Sequence, residues 1–134
     1  MFFRRIVAAV LAALAFAAPA QAADSIEGVW RNGKDTVRIR TYTCGALICG
    51  QVIGASAKAQ ADAARGGTKQ LLGTQVFREF RATGRSEYKG RVFVPDLNRT
   101  FAGTLRVGDD GRLLGKGCIL GGLICKTTAW TRVS

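Results

Sequence analysis

The eight residues Cys118-Ile-Leu-Gly-Gly-Leu-Ile-Cys125 constrain this chain more than any other stretch. Gly121 and Gly122 can supply the two positive-φ residues of a two-residue hairpin turn. Folding the chain back there sets Leu120 opposite Leu123, Ile119 opposite Ile124 and Cys118 opposite Cys125. A cross-strand disulfide follows from that symmetry, and disulfides persist in oxidising compartments. Cys44 and Cys49 flank Gly45-Ala-Leu-Ile48, which reads as a four-residue loop. Four cysteines permit three connectivities. Hairpin geometry selects the local pairing, Cys44 with Cys49 and Cys118 with Cys125. A β architecture and a location are thus read together, without a reaction.

The N-terminus bears on location as well. Arg4 and Arg5 form a positive n-region, and Ile6 to Ala18 is an apolar run of 13 residues. That run suits a signal h-region and is short for a membrane span. Pro19 breaks it, and Ala20-Gln21-Ala22 has the A-x-A form of a cleavage site. The expected organisation is a cleaved signal peptide over 1–22 and one domain over 23–134, 112 of the 134 residues. Ala23 rather than Cys follows the cut, so no lipid anchor is expected. The mature protein is expected in the periplasm or outside the cell, and not as an integral membrane protein.

The whole chain carries a net charge of +11, which falls to +9 when Arg4 and Arg5 are removed. Such a basic balance ordinarily raises nucleic acid as a partner, but export argues against it. An anionic envelope component is the expected counterpart, although the cations are scattered singly. Catalysis is hard to build from this composition. There is no histidine, which removes the commonest general base and zinc ligand. Seven of nine carboxylates stand alone, and Asp109-Asp110 sits in a turn. No motif pairs a nucleophile with a base, the Cys-x4-Cys and Cys-x6-Cys spacings are loose for zinc, and no CxxC is present. The expectation is a protein that is not an enzyme, with no metal and no cofactor.

Short alternating segments run through the mature chain. Gly28-Val-Trp30 opens the first strand, and Asn32-Gly33 reads as a hairpin turn. Val37, Ile39, Thr41 and Thr43 alternate with Arg38, Arg40 and Tyr42, giving one inward and one outward face. Strands are expected near 49–53, 75–81, 88–94, 100–107, 112–120 and 123–133. Phe101, Gly103, Leu105 and Val107 share a face. Between Gly54 and Gly67 the pattern changes: Ser56 can cap a short alanine-rich helix ending at Gly66-Gly67. That helix is either a lid over a cavity or a helix packed outside the sheet. The expected fold is all-β, a single up-and-down antiparallel barrel of about eight strands, since closure removes exposed edges.

Gly28-Val-Trp30, Cys44-x4-Cys49-Gly50, Gly90-Arg-Val-Phe-Val-Pro95-x2-Asn98-x-Thr100-Phe101, Gly117-Cys118 and Trp130-Thr131-Arg132-Val133 together resemble the DUF2147 proteins. The resemblance spans essentially the whole mature chain. It implies a small exported bacterial protein with a lipocalin-like β-barrel and no assigned activity. The family tends to have Asp before the proline and Gly at the turn, where this chain has Val94 and Asn98. Gly28, Trp30 and Arg132 also resemble the lipocalin closure set, in which a guanidinium stacks on an indole and seals one barrel end.

An eight-stranded barrel either fills its own interior or holds one small ligand. Phe77, Phe80, Phe93 and Phe101 are candidates for lining such a pocket, the other reading being that they are core. The leading functional reading is an envelope protein binding a lipid or other small hydrophobic or amphiphilic ligand. The alternative is a filled barrel acting as a protein-interaction module, such as an inhibitor, or as a stress-related structural protein. A cationic rim of Arg38, Arg40, Arg91 and Arg106 would suit an anionic head group. Their strand phase, however, points them away from the apolar face.

Overall fold

The computed structural model describes residues 25–134. The expected signal peptide and its cleavage site lie outside them. Eight antiparallel strands follow in order: β1 Gly28–Asn32, β2 Val37–Cys44, β3 Leu47–Ala55, β4 Gln75–Gly84, β5 Glu87–Val94, β6 Arg99–Val107, β7 Leu113–Ile119 and β8 Ile124–Arg132. Each pairs with its neighbour, and β1 pairs with β8, so the sheet closes into an up-and-down barrel. One end, called here the closed end, carries the start of β1, the end of β8 and the turns at 45–46, 85–86 and 108–112. The other end, the mouth, carries the connections at 33–36, 56–74, 95–98 and 120–123.

Alternation decides which side chains fill the barrel. Trp30, Ile39, Val52, Phe77, Phe80, Leu105 and Leu113 are buried in one cluster, with Tyr88, Val92 and Trp130 packed against it. The Phe77 ring stands edge-on to Phe80 and to Trp130, with centroids 5.9 and 6.2 Å apart. Two glycines make room for these rings. A Cβ on Gly50 would come 2.7 Å from the Phe77 ring, and one on Gly90 would come 2.7 Å from the Phe80 ring.

Phe77 and Phe80 are three apart, yet both reach the core. The register of β4 shifts between Arg78 and Arg81, with Glu79 at φ 53°. Such a bulge rotates the strand by one extra residue.

The helix α1 spans Ala57–Gly66. Ser56 caps it by accepting from the Ala59 N–H at 3.1 Å, and Gly67, at φ 111°, ends it. Its buried residue Ala63 joins the core cluster. The helix reaches the turn at 95–98, where Gly66 lies directly on the backbone of Asp96. The Thr68 hydroxyl then donates to Pro95 O at 2.7 Å.

The two disulfides link Cys44 to Cys49 and Cys118 to Cys125. Cys118 sits directly opposite Cys125, with Cα atoms 4.1 Å apart. Gly121 and Gly122 take the expected positive φ, 65° and 94°, but Leu120 also turns positive at 54°, so the ladder stops at the Ile119–Ile124 pair rather than at Leu120 and Leu123. The Cys44 hairpin is tighter than expected. Cys44 opposes Leu47 and Tyr42 opposes Cys49, so the turn is Gly45-Ala46 and the bridge runs diagonally across the pair. The Asn32-Gly33 turn also differs. Positive φ falls at Asp35, and Asn32 acts through its side chain, accepting from the Thr36 and Val37 N–H groups at 2.8 and 3.0 Å.

The double substitution Cys118→Ser with Cys125→Ser is expected to cost about 2–2.5 kcal/mol, from the loop it releases in the unfolded chain. A urea denaturation series checks this. A midpoint unchanged from the parent would contradict it.

Candidate functional site

The closed end is sealed by a compact polar arrangement. Trp30 is fully buried, and its indole N–H donates to Thr41 Oγ1 at 3.0 Å and to Ile26 O at 3.2 Å. The Arg132 guanidinium lies over the Trp30 ring, 4.2 Å from its centroid. Its Nη1 donates to Glu27 O at 3.0 Å, and its Nη2 donates to Ser25 O. Gly28 sits beneath at φ 151°, where a Cβ would come 2.6 Å from Arg132 Nη1. Backbone bonds from Val29 N to Ser134 O and from Val133 N to Val29 O tie both ends of the domain together. The Trp30 N–H and both terminal nitrogens of Arg132 are thus engaged in closure.

The mouth is differently built. Counting back from Trp130 by alternate residues puts Thr128, Lys126 and Ile124 on the inner face of β8. The register agrees: Thr128 opposes Gly115, Lys126 opposes Gly117 and Ile124 opposes Ile119. Gly117 in turn opposes Gly103, and Gly103 opposes Gly90. The spaces over Gly90 and Gly103 are taken by Phe80 and Val92, but over Gly117 nothing stands nearer than Phe101 Cβ at 4.0 Å. An open floor at Gly117 is therefore bordered by Phe101, Ile119, Ile124 and the ammonium-bearing Lys126. The wall is open because β1 is short. Its last pair with β8 is Asn32 with Trp130, and Ile124–Ala129 continues beyond it.

The four candidate phenylalanines do not share one pocket. Phe77 and Phe80 are buried in the core, and Phe101 is partly buried at the mouth. Phe93 is also buried but lies on the outer face of the sheet, apart from the barrel cluster, because its neighbour Val92 is the inward residue opposite Phe77. The Arg78 guanidinium covers the Phe93 ring at 4.4 Å. Arg38, Arg40, Arg91 and Arg106 all alternate with inward residues and face outward, where Arg38 pairs with Asp35 and Arg91 with Glu79. None of them rims the lumen. The cation that the register places on the inner face near the mouth is Lys126. Its signal was available in the phase of the last strand, two steps of two residues before Trp130.

The family described as an uncharacterized protein conserved in bacteria, DUF2147, matches residues 28–132. The chain belongs to the DUF2147 family. No curated protein matches it. Among solved structures, the chain is similar to protein HP1028 from the human pathogen Helicobacter pylori, described as belonging to the lipocalin family. The TM-score is 0.63 at 13% identity, over 82% of this chain and 84% of that one. At that identity the likeness concerns the fold.

In this DUF2147 barrel two surface concavities accompany the mouth. One, of about 400 Å³, lies on the outer wall of β5–β8 among Lys89, Thr104, Arg106, Lys116 and Thr127. The other, of about 520 Å³, lies at the closed end beside Gly28, Arg40 and Arg132. Neither brings carboxylates together, and among the described residues no group of three metal-ligating side chains converges. Two carboxyls are held below the usual range. Asp62 accepts a hydrogen bond from Lys58 and lies beside Arg65, and Asp110 accepts from the backbone and side chain of Arg112. Both are exposed ion pairs in a helix and a turn, which accounts for the shifts without a chemical role.

Proposed function

We propose that this DUF2147 protein is an exported, non-enzymatic envelope protein that holds a small amphiphile with an anionic head at the mouth of its barrel. The observation that carries the reading is Lys126, a cation on the inner face beside the uncovered Gly117 and the partly buried Phe101. A carboxylate or phosphate head would meet the ammonium there. An apolar tail would lie along Phe101, Ile119 and Ile124, contributing roughly 25 cal/mol per Å² of apolar surface it buries. It would stop above the Phe77 and Phe80 layer, which fills the barrel. Two disulfides in a bacterial protein support an oxidising compartment. The filled closed half is the observation that favours the alternative, an interaction module that binds another protein and carries no ligand.

Titration of a fluorescent fatty acid into the disulfide-bonded domain tests the proposal. Saturable binding is expected, weaker at high salt because the head–ammonium attraction is screened. The variant Lys126→Glu should weaken it by about tenfold or more, the size of a charge-assisted hydrogen bond lost. Absence of saturable binding at either salt would leave the interaction module as the better reading.

A further inference from the structure

Apolar exposure on this domain is gathered at one end. Of the eight large hydrophobic residues exposed among the described residues, Ile53, Leu72, Leu97, Ile119, Leu120, Leu123 and Ile124 stand at or near the mouth, and Val133 lies at the other end. The apex is the β7–β8 turn, where Leu123 is 85% exposed and Leu120 67%. Leu97, 57% exposed, projects from the neighbouring turn at 95–98. Single exposed leucines need no explanation, but a contiguous exposed set marks an interaction surface.

We propose that this end docks on an anionic phospholipid bilayer, with the Cys118–Cys125 hairpin entering the interface. Three features favour a bilayer over a protein groove or a second copy. First, the apex is convex and narrow: two leucines on a four-residue turn offer little area to a flat protein partner, whereas a fluid interface closes around them. Second, the turn is held in one shape, since Leu123 N–H bonds to Leu120 O at 3.3 Å and the disulfide holds the strands together below it.

Third, the charge is of the right sign and at the right height. Arg99 lies two residues from Leu97, and Lys116 three residues from Ile119. Neither makes an ion pair among the described residues, nor does Lys69 in the connection behind α1. Of the carboxylates at this end, Asp35 pairs with Arg38, and Asp62 with Lys58 and Arg65, which leaves Asp96, beside Leu97, as the carboxylate set against Arg99, Lys69 and Lys116. An apolar apex backed by a cationic collar is the combination that binds anionic interfaces, each basic residue near the surface adding roughly fivefold to partition.

The test uses the disulfide-bonded domain and sedimented vesicles of phosphatidylglycerol with phosphatidylethanolamine, against vesicles of phosphatidylcholine alone. Binding is expected to the anionic vesicles and to weaken with salt. Each buried methylene alters partition roughly fourfold, so Leu120→Ser with Leu123→Ser should lower binding by at least about tenfold. These side chains lie outside the core, so the variant should melt as the parent does. A Leu123→Trp variant adds a second readout, a blue-shifted emission on anionic vesicles. Three results would overturn the proposal: no binding to the anionic vesicles, equal binding by the serine variant, or a dimer without vesicles that the serine substitutions dissolve. The readout is lipid-bound protein, so failure of the fatty-acid titration leaves this outcome unaffected.

Discussion

Replacing Trp30 by alanine is expected to lower stability by about 3–5 kcal/mol, the range for removing a large buried aromatic. The indole is fully buried in the cluster that holds Ile39, Phe80 and Leu105. Its loss removes packing in the centre of the closed end. It also removes the surface on which Arg132 lies and the donor shared by Thr41 Oγ1 and Ile26 O. A domain of this size has of order 5–15 kcal/mol in total, so the variant should melt about 12–20 °C lower, at roughly 4 °C per kcal/mol. Trp30→Phe separates the contributions. It keeps most of the packing and loses the N–H, and should cost much less. Differential scanning calorimetry of the three proteins decides the matter. An alanine variant within about 1 kcal/mol of the parent would show that the closed end is not held by its indole.

Gly66→Ala should also destabilise the protein, at the opposite end of the barrel. A Cβ at this position would fall 1.8 Å from Asp96 O and 2.3 Å from Asp96 C, both backbone atoms. Helix propensity alone would make alanine the better residue inside a helix. Here sterics outweigh propensity, since neither the helix end nor the 95–98 turn can move without the other. The expected cost is about 1–3 kcal/mol, as for overpacking elsewhere. Its character should be local. Separating α1 from the turn also breaks the bond from the Thr68 hydroxyl to Pro95 O. Amide exchange should therefore quicken over 57–68 and 95–98 while the strands stay protected. A variant with the parent's melting point and exchange pattern would show that the contact carries no weight.

Much of this architecture was legible because it is local. The Gly121-Gly122 turn, the Ser56 cap and the Gly67 helix end each depend on a few adjacent residues whose conformational preferences are strong. The alternation of Phe101, Gly103, Leu105 and Val107 gave their inward face directly. What was not legible depended on departures from alternation. Phe77 and Phe80 reach the same core through a bulge at Glu79, and nothing in Arg78-Glu79 announces an added residue. The same strict counting could not tell that Phe93 lies outward under Arg78, because its face is fixed by its partner on β4. At Asn32 the residue type was the right one for a turn, but the amide side chain rather than the backbone makes the loop. The candidate site fell between these cases. Lys126 was readable from Trp130, whereas the open floor beside it depends on how far β1 extends, which only the closed sheet determines.

The seam between β1 and β8 sets an order of events for the chain. It joins Trp30 to Arg132, nearly the whole length of the domain apart, and the last residue, Ser134, receives the Val29 N–H. Hairpins such as that at Gly121-Gly122 can form on their own timescale, but the cylinder cannot shut until its final strand is present. Such distant pairings are slow to nucleate because the loop they close is long. A partly synthesised or partly translocated chain would therefore remain an open ribbon, able to pass through a channel too narrow for the finished barrel. Arrival of β8 would be the step that locks it.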